Sequence, residues 1–151
     1  MWFSRKQGAA ERAQAVPGQV TTKSRGDAAE SAALACLMRG GLKFVEANYR
    51  TPGRGGGEID LIMRAPDGTL VFVEVRQRSN ASHGGAAASI GAPKQRRIIF
   101  AARHYLMRFA SPPPCRFDVV LVQGALEGAA AAGPGRVGAN IEWLVAAFDA
   151  S

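Results

Sequence analysis

Gly57-Glu58-Ile59-Asp60-Leu61-Ile62 and Phe72-Val73-Glu74-Val75-Arg76 lie on either side of Pro66-Asp67-Gly68. Each flanking stretch alternates charged with branched apolar residues, the period of a strand that sends its charges to one face. Pro-Asp-Gly is turn chemistry, so the two read as a β-hairpin. Centring the turn on Asp67 sets Asp60 opposite Glu74, Glu58 opposite Arg76, and Ile59 and Leu61 opposite Val75 and Val73. A slip of one residue would set charge against valine at every rung. The matched register brings two carboxylates to roughly 5 Å at Cβ, where like charges repel. A bound cation would remove that repulsion.

Outward from the hairpin, Thr51 to Gly57 carries four glycines and a proline and reads as a loop, with Leu42 to Arg50 before it as a first strand. Ser24-Arg25-Gly26-Asp27 resembles a capping box, which predicts a helix from about Arg25 to Arg39 ended by Gly40-Gly41. Residues 77–92 are loop-like. Pro93 suits the first turn of a second helix reaching about Ala110, with Ile98, Ala102, Tyr105, Leu106 and Phe109 as its apolar stripe. Pro112-Pro113-Pro114 stops it, and Arg116 to Gln123 forms a further, mostly buried strand. The Ala/Gly stretch from about Gly124 to Gly138 reads as an exposed loop. Asn140 to Leu144 follows as an edge strand, and Val145 to Ala150 as a short terminal turn. The order α-β-β-β-α-β-β predicts an α/β domain, a mixed central sheet with helices on its faces. Residues 1–22 lack periodicity and read as a flexible basic tail, leaving 23–151 as the single domain.

The chain has 151 residues, 47% hydrophobic and 21% charged, the composition of a globular protein with a real core. No apolar run approaches the ~20 residues of a membrane span, and Met1-Trp2-Phe3-Ser4-Arg5-Lys6 leads to no apolar signal region. The default compartment is therefore the cytoplasm, and no membrane partner is expected. Nineteen Lys and Arg against twelve Asp and Glu give a formal charge of +7. Such an excess favours a polyanion, and nucleic acid is the commonest one. Cys36 and Cys115 stand far apart without companions, which predicts two free, partly buried thiols rather than a zinc site or disulfide.

Asp60 and Glu74 on one face are hard oxygen ligands suited to Mg²⁺ or Mn²⁺. Arg76 shares that face and could hold a phosphate. Together they fit metal-assisted phosphodiester hydrolysis. The competing reading is a solvated hairpin face with a Glu58–Arg76 pair. Glu30 lies on the helical stripe of Ala33, Leu34 and Leu37, where a carboxylate is costly unless it meets a cation or solvent. It either completes the site or bends into water at the helix start. Lys94 and Arg97 begin the second helix, where free N–H groups favour anions. With Arg78 they could track a phosphate backbone, whereas Arg103 and Arg108 read as a solvated face. His83 and His104 read as exposed. The two tyrosines and two tryptophans are too scattered to form a stacking platform.

These motifs, with Gly26-Asp27-Ala28-Ala29-Glu30 and Arg116-Phe117-Asp118-Val119-Val120, resemble the YraN-like family of small bacterial proteins over about Thr21 to Phe148. That family resembles the PD-(D/E)xK nucleases, including archaeal Holliday-junction resolvases. The resemblance implies a restriction-endonuclease-like fold and a Mg²⁺-dependent (or Mn²⁺-dependent) DNA endonuclease, with branched DNA as a candidate substrate and a homodimer as a candidate assembly. Asp60 matches the motif's first acid, Glu74 its second, and Glu30 the helical acid of resolvase-like members. The motif's lysine is Arg76 here. Arginine neutralises phosphate but stays protonated, so it cannot serve as a base. Lys94 is positioned in sequence to supply the ammonium instead. A catalytically inactive module of the same fold that binds DNA or RNA is the rival reading, and a purely structural domain a third.

Overall fold

A computed structural model describes residues 22–78, 90–123 and 141–150. The tail expected over residues 1–22 lies outside them except for Thr22, as do most of the two long loops and His83. The elements are α1 (Thr22–Arg39), β1 (Lys43–Arg50), β2 (Glu58–Arg64), β3 (Leu70–Arg78), α2 (Ala92–Leu106), β4 (Cys115–Gln123) and β5 (Ile141–Phe148). The strands form one mixed sheet in the order β1-β2-β3-β4-β5. Every neighbouring pair is antiparallel except β3–β4, which are parallel and joined across the sheet by α2. The expected α/β architecture and element order are those observed.

The hairpin has the predicted register. Leu61 faces Val73, Ile62 faces Phe72 and Arg64 faces Leu70. Its turn is built by Asp67, whose Oδ1 accepts the Thr69 N–H at 3.0 Å, and by Gly68, at φ +95. Only a residue without Cβ adopts that φ freely. β3 is the central strand, and Leu70, Val71, Phe72 and Val73 are all 0% exposed. Both faces are therefore covered. On one side α1 packs Ala29, Ala33 and Leu37 against Leu61, Met63, Val71 and Val73. The two alanines at the contact keep this helix close to the strands. On the other side α2 packs Ile98, Ala101, Ala102 and Tyr105 against Ile62, Leu70, Phe72 and Phe117.

The start of α1 and the end of β5 differ from expectation. α1 starts at Thr22, so Ser24–Asp27 lie inside the helix rather than capping it. Its end is as predicted. Leu42 N–H bonds Leu37 O and Gly41 N–H bonds Met38 O, with Gly41 at φ +101, a Schellman stop. β5 runs through to Phe148, where a terminal turn is predicted. The cause is Asp118 on β4, 0% exposed. Its Oδ1 accepts the Ala146 N–H at 2.9 Å, its Oδ2 accepts Trp143 Nε1–H at 2.9 Å, and Arg116 neutralises it at 3.0 Å. The β4–β5 register shifts between Phe117 and Val119 at this carboxylate. A buried charge satisfied on all sides thus extends a strand that hydropathy alone would end. The thiols also differ slightly: Cys36 is half-buried, but Cys115 is exposed.

The β1–β2 connection sets how closely α2 approaches the hairpin. Thr51 and Gly57 close the loop with Thr51 N–H to Gly57 O at 3.1 Å and Gly57 N–H to Thr51 Oγ1 at 2.8 Å. A Cβ on Gly57 would lie 1.9 Å from the Arg97 carbonyl oxygen. Backbone meets backbone there, so no side chain can swing away. Gly57→Ala is expected to destabilise the fold by roughly 1–3 kcal/mol in urea unfolding, as overpacking does. Gly26→Ala, with nothing within 4 Å of the new methyl group, should stabilise the helix slightly. Equal effects of the two substitutions would contradict this packing.

Candidate functional site

The hairpin register, carried one step beyond Leu61–Val73, sets Asp60 opposite Glu74. There the strands exchange a side chain for a backbone partner: Asp60 Oδ2 accepts the Val75 N–H at 2.8 Å. Glu74 is 7% exposed, so it does not lie on a solvated face. Its Oε1 is buried with no hydrogen-bond partner among the described residues. Its Oε2 lies 3.7 Å from Lys94 Nζ, projected from the first turn of α2. Glu58 pairs with Arg50 on β1, at 3.6 Å.

Burial raises the Glu74 carboxyl first and the Asp60 charge second, while Lys94 and Arg76 oppose them; the balance leaves it at about 8. Asp60 is also raised by burial, against the pull of the Val75 N–H, the Glu74 hydrogen bond and Lys94. Beside Asp60, the Glu74 carboxyl thus favours its protonated form. Glu30 reaches the same region from α1. It is raised by partial burial and by Asp60, and lowered by its hydrogen bond with Asn48. Asn48 has φ +56 in β1, a conformation that asparagine tolerates better than most residues. An open groove of about 260 Å³ beside Glu30 is lined by Asp27, Leu34, Phe44 and Leu61 among others.

Of the residues singled out from sequence, Asp60 and Glu74 meet, Glu30 acts on them electrostatically, and Arg76 lies near enough to lower the Glu74 carboxyl. Lys94 joins this cluster, as expected of a residue that could supply the ammonium. Arg97 is exposed on α2, its carbonyl packed on Gly57. Arg78 ends β3, and its side chain lies outside the description. His104, expected on the surface, is half-buried and hydrogen-bonded to Tyr49 Oη, holding β1 to α2. Sequence reasoning also missed Asn48 and Asp118. Asp118 stood inside the quoted Arg116–Val120 motif, and an acid amid a buried apolar run was the available signal.

Among the described residues, no group of three or more His, Cys, Asp or Glu has metal-site geometry. The Asp60–Glu74 pair nevertheless fits a hard divalent cation such as Mg²⁺, which uses one or two protein carboxylates and keeps its waters. The unpartnered Glu74 Oε1 is the ligand atom left over for it.

The description Uncharacterised protein family UPF0102 matches residues 29–122, a span holding the site from Glu30 to Arg97. The chain belongs to this family, the YraN-like group. Relatives of the same description include one from Polaromonas naphthalenivorans (strain CJ2), 72% identical with both chains fully covered. Another, from Polaromonas sp. (strain JS666 / ATCC BAA-500), is 71% identical over the full length of both. A third, from Albidiferax ferrireducens, is 65% identical over 86% of this chain and 91% of its own. No helix among the described residues is long and apolar enough to cross a membrane.

The carboxyl pair makes stability depend on pH in a definite direction. A group whose carboxyl is raised in the fold favours folding in its protonated form, and that contribution is lost as pH rises toward about 8. The melting temperature of metal-free protein should therefore fall between about pH 4.5 and 8 and level off above that. Glu74→Gln should flatten that slope. Millimolar Mn²⁺ should raise the melting temperature of the wild type most at high pH and leave Asp60→Asn unmoved. A slope unchanged by Glu74→Gln would refute the raised Glu74 carboxyl.

Proposed function

We propose that this protein is a Mg²⁺- or Mn²⁺-dependent endonuclease that hydrolyses phosphodiester bonds in DNA. The observation that carries the reading is the half-buried Asp60 beside the buried Glu74, with an unpartnered Glu74 Oε1 and the Lys94 ammonium 3.7 Å from Oε2. Asp60 and Glu74 would hold the metal. When bound, it supplies an activated water and neutralises charge on the phosphate. Glu74 gives up its proton for this role, and its full charge then draws Lys94 and Arg76 more strongly. Arg76, from β3, donates hydrogen bonds to a phosphate oxygen. Lys94, from α2, brings a compact ammonium to the same carboxylates, which offsets the arginine in the motif's lysine place. Glu30 and its Asn48 partner bound the site on the α1 side and orient water there.

Likeness to the PD-(D/E)xK nucleases makes branched DNA the first substrate to test, with RNA as the comparison. Purified protein with Mg²⁺ or Mn²⁺ should cut at least one of duplex, single-stranded, flap and four-way DNA. Asp60→Ala should abolish cutting. Lys94→Ala should slow it by about 10²- to 10³-fold, the scale for losing one electrostatic stabiliser. Identical products from wild type and Asp60→Ala, or none from either, would defeat the nuclease reading. Salt-dependent binding without cleavage, improved by Glu74→Ala, would establish the inactive binding module instead.

A further inference from the structure

Helix α2 has a second face that the hairpin site does not use. Its sequence, Ala92 to Leu106, contains no Asp or Glu. Ile98, Ala101, Ala102 and Tyr105 are buried, and Lys94 turns toward Glu74. On the opposite side, Arg96, Phe100, Arg103 and Met107 follow one another at spacings of four, three and four, which keeps them within roughly 60° around the helix. All four are exposed. Phe100 is 52% and Met107 76% exposed, two of the five large apolar side chains left in solvent among the described residues. Neither Arg96 nor Arg103 has an acidic partner among those residues. About 10 Å of helix separates the two guanidinium-bearing positions, with the phenyl ring between them.

We infer that this face binds an unpaired nucleic-acid strand, with Arg96 and Arg103 on its phosphates and a base stacked on Phe100. Charge complementarity selects a polyanion, since the helix offers cations and no acid. The aromatic ring narrows the class further. Heparin-like polymers and inorganic polyphosphate have no flat apolar face to offer it, whereas every base does. An intact duplex keeps its bases stacked on one another, so a ring on a convex helix meets only sugar and phosphate there. The apolar area of one Phe and one Met is too small to embed the helix in a bilayer. The sequence reading counted tyrosine and tryptophan and so passed over this phenylalanine. This inference deepens the proposed function by naming a substrate with unpaired bases near the cut. Its test does not depend on cleavage.

The test is fluorescence anisotropy on Asp60→Ala protein in EDTA, which removes cleavage as a variable. The probes are a labelled dT 15-mer, a labelled U 15-mer and a 15-base-pair DNA duplex. The single strands should bind more tightly than the duplex. Phe100→Ala should weaken single-strand binding by about 5- to 150-fold, the range for loss of one stacked base, and leave duplex binding within about twofold. Phe100→Trp should restore the affinity. Replacing Arg96 and Arg103 by Gln should lower the slope of log affinity against log salt by about 1.4, or about 0.7 per phosphate contact on a single strand. The dT and U arms distinguish DNA from RNA as the source of the strand. Because Phe100 is exposed, unchanged melting temperatures should show that the variants fold. Equal affinity for strand and duplex, or no effect of Phe100→Ala, would overturn the inference. So would a change in oligomeric state with Phe100→Ala at constant affinity, which would make the face a protein interface. Loss of cleavage by Asp60→Ala with no single-strand preference would leave the nuclease reading standing and remove this one.

Discussion

Two carboxylates forced together under the cover of a helix organise this molecule. The turn at Asp67 fixes the register that sets Asp60 against Glu74, and α2 closes over them, leaving Glu74 only 7% exposed. Neither strand can slip to relieve the repulsion, because a one-residue shift would carry Ile62, Phe72 and Leu70 to the other face of the sheet and break the packing against both helices. The pair therefore relieves it chemically. Glu74 keeps a proton far above its ordinary range, and Lys94 and Arg76 contribute positive charge from helix and strand. In the proposed reading, such an arrangement would exchange that proton for a cation. Stable cores rarely tolerate this, which is why buried, perturbed carboxyls cluster at working sites.

Much of the remaining fold holds these groups in place. Gly57 permits the Arg97 backbone to come against the start of β2, and this close approach brings Lys94 within reach of Glu74. Tyr49 and His104 tie β1 to the middle of α2. Asn48, at a positive φ, turns its side chain toward Glu30. On the far side of the sheet, Asp118 fastens β5 through Trp143 and Ala146, supporting the strand that runs parallel to β3. Asp118 is as buried as any residue in the chain but is saturated by donors, and so differs in kind from Glu74 with its unpartnered oxygen.

The hairpin was legible because turn chemistry and polarity agree on one register, and the α-β-β-β-α-β-β order followed from breakers and periodicity. What escaped were features created by contacts distant in sequence. β5 continues past Leu144 because a carboxylate on β4 holds its backbone, and no local pattern records that. Thr22 joins α1 although a capping signal stands two residues later. Lys94 read both as a phosphate contact and as the ammonium in place of the motif's lysine; its pairing with Glu74, twenty residues earlier on β3, is a contact no local pattern records. Phe100 fell outside the predicted apolar stripe and was passed over. Only a buried opposite face shows how exposed it is.

The proposed mechanism needs Glu74 protonated beside Asp60 until a divalent cation displaces that proton. Carbon-detected NMR titration of the Glu74 side-chain carboxyl measures this directly. In metal-free protein the Cδ resonance should titrate with a midpoint near 8, as burial and the Asp60 charge require. Saturating Mg²⁺ should move that midpoint down by several units, and Asp60→Asn should lower the metal-free midpoint by removing the neighbouring charge. A Glu74 midpoint near 4.5 in metal-free protein, indifferent to both Mg²⁺ and Asp60→Asn, would contradict the account.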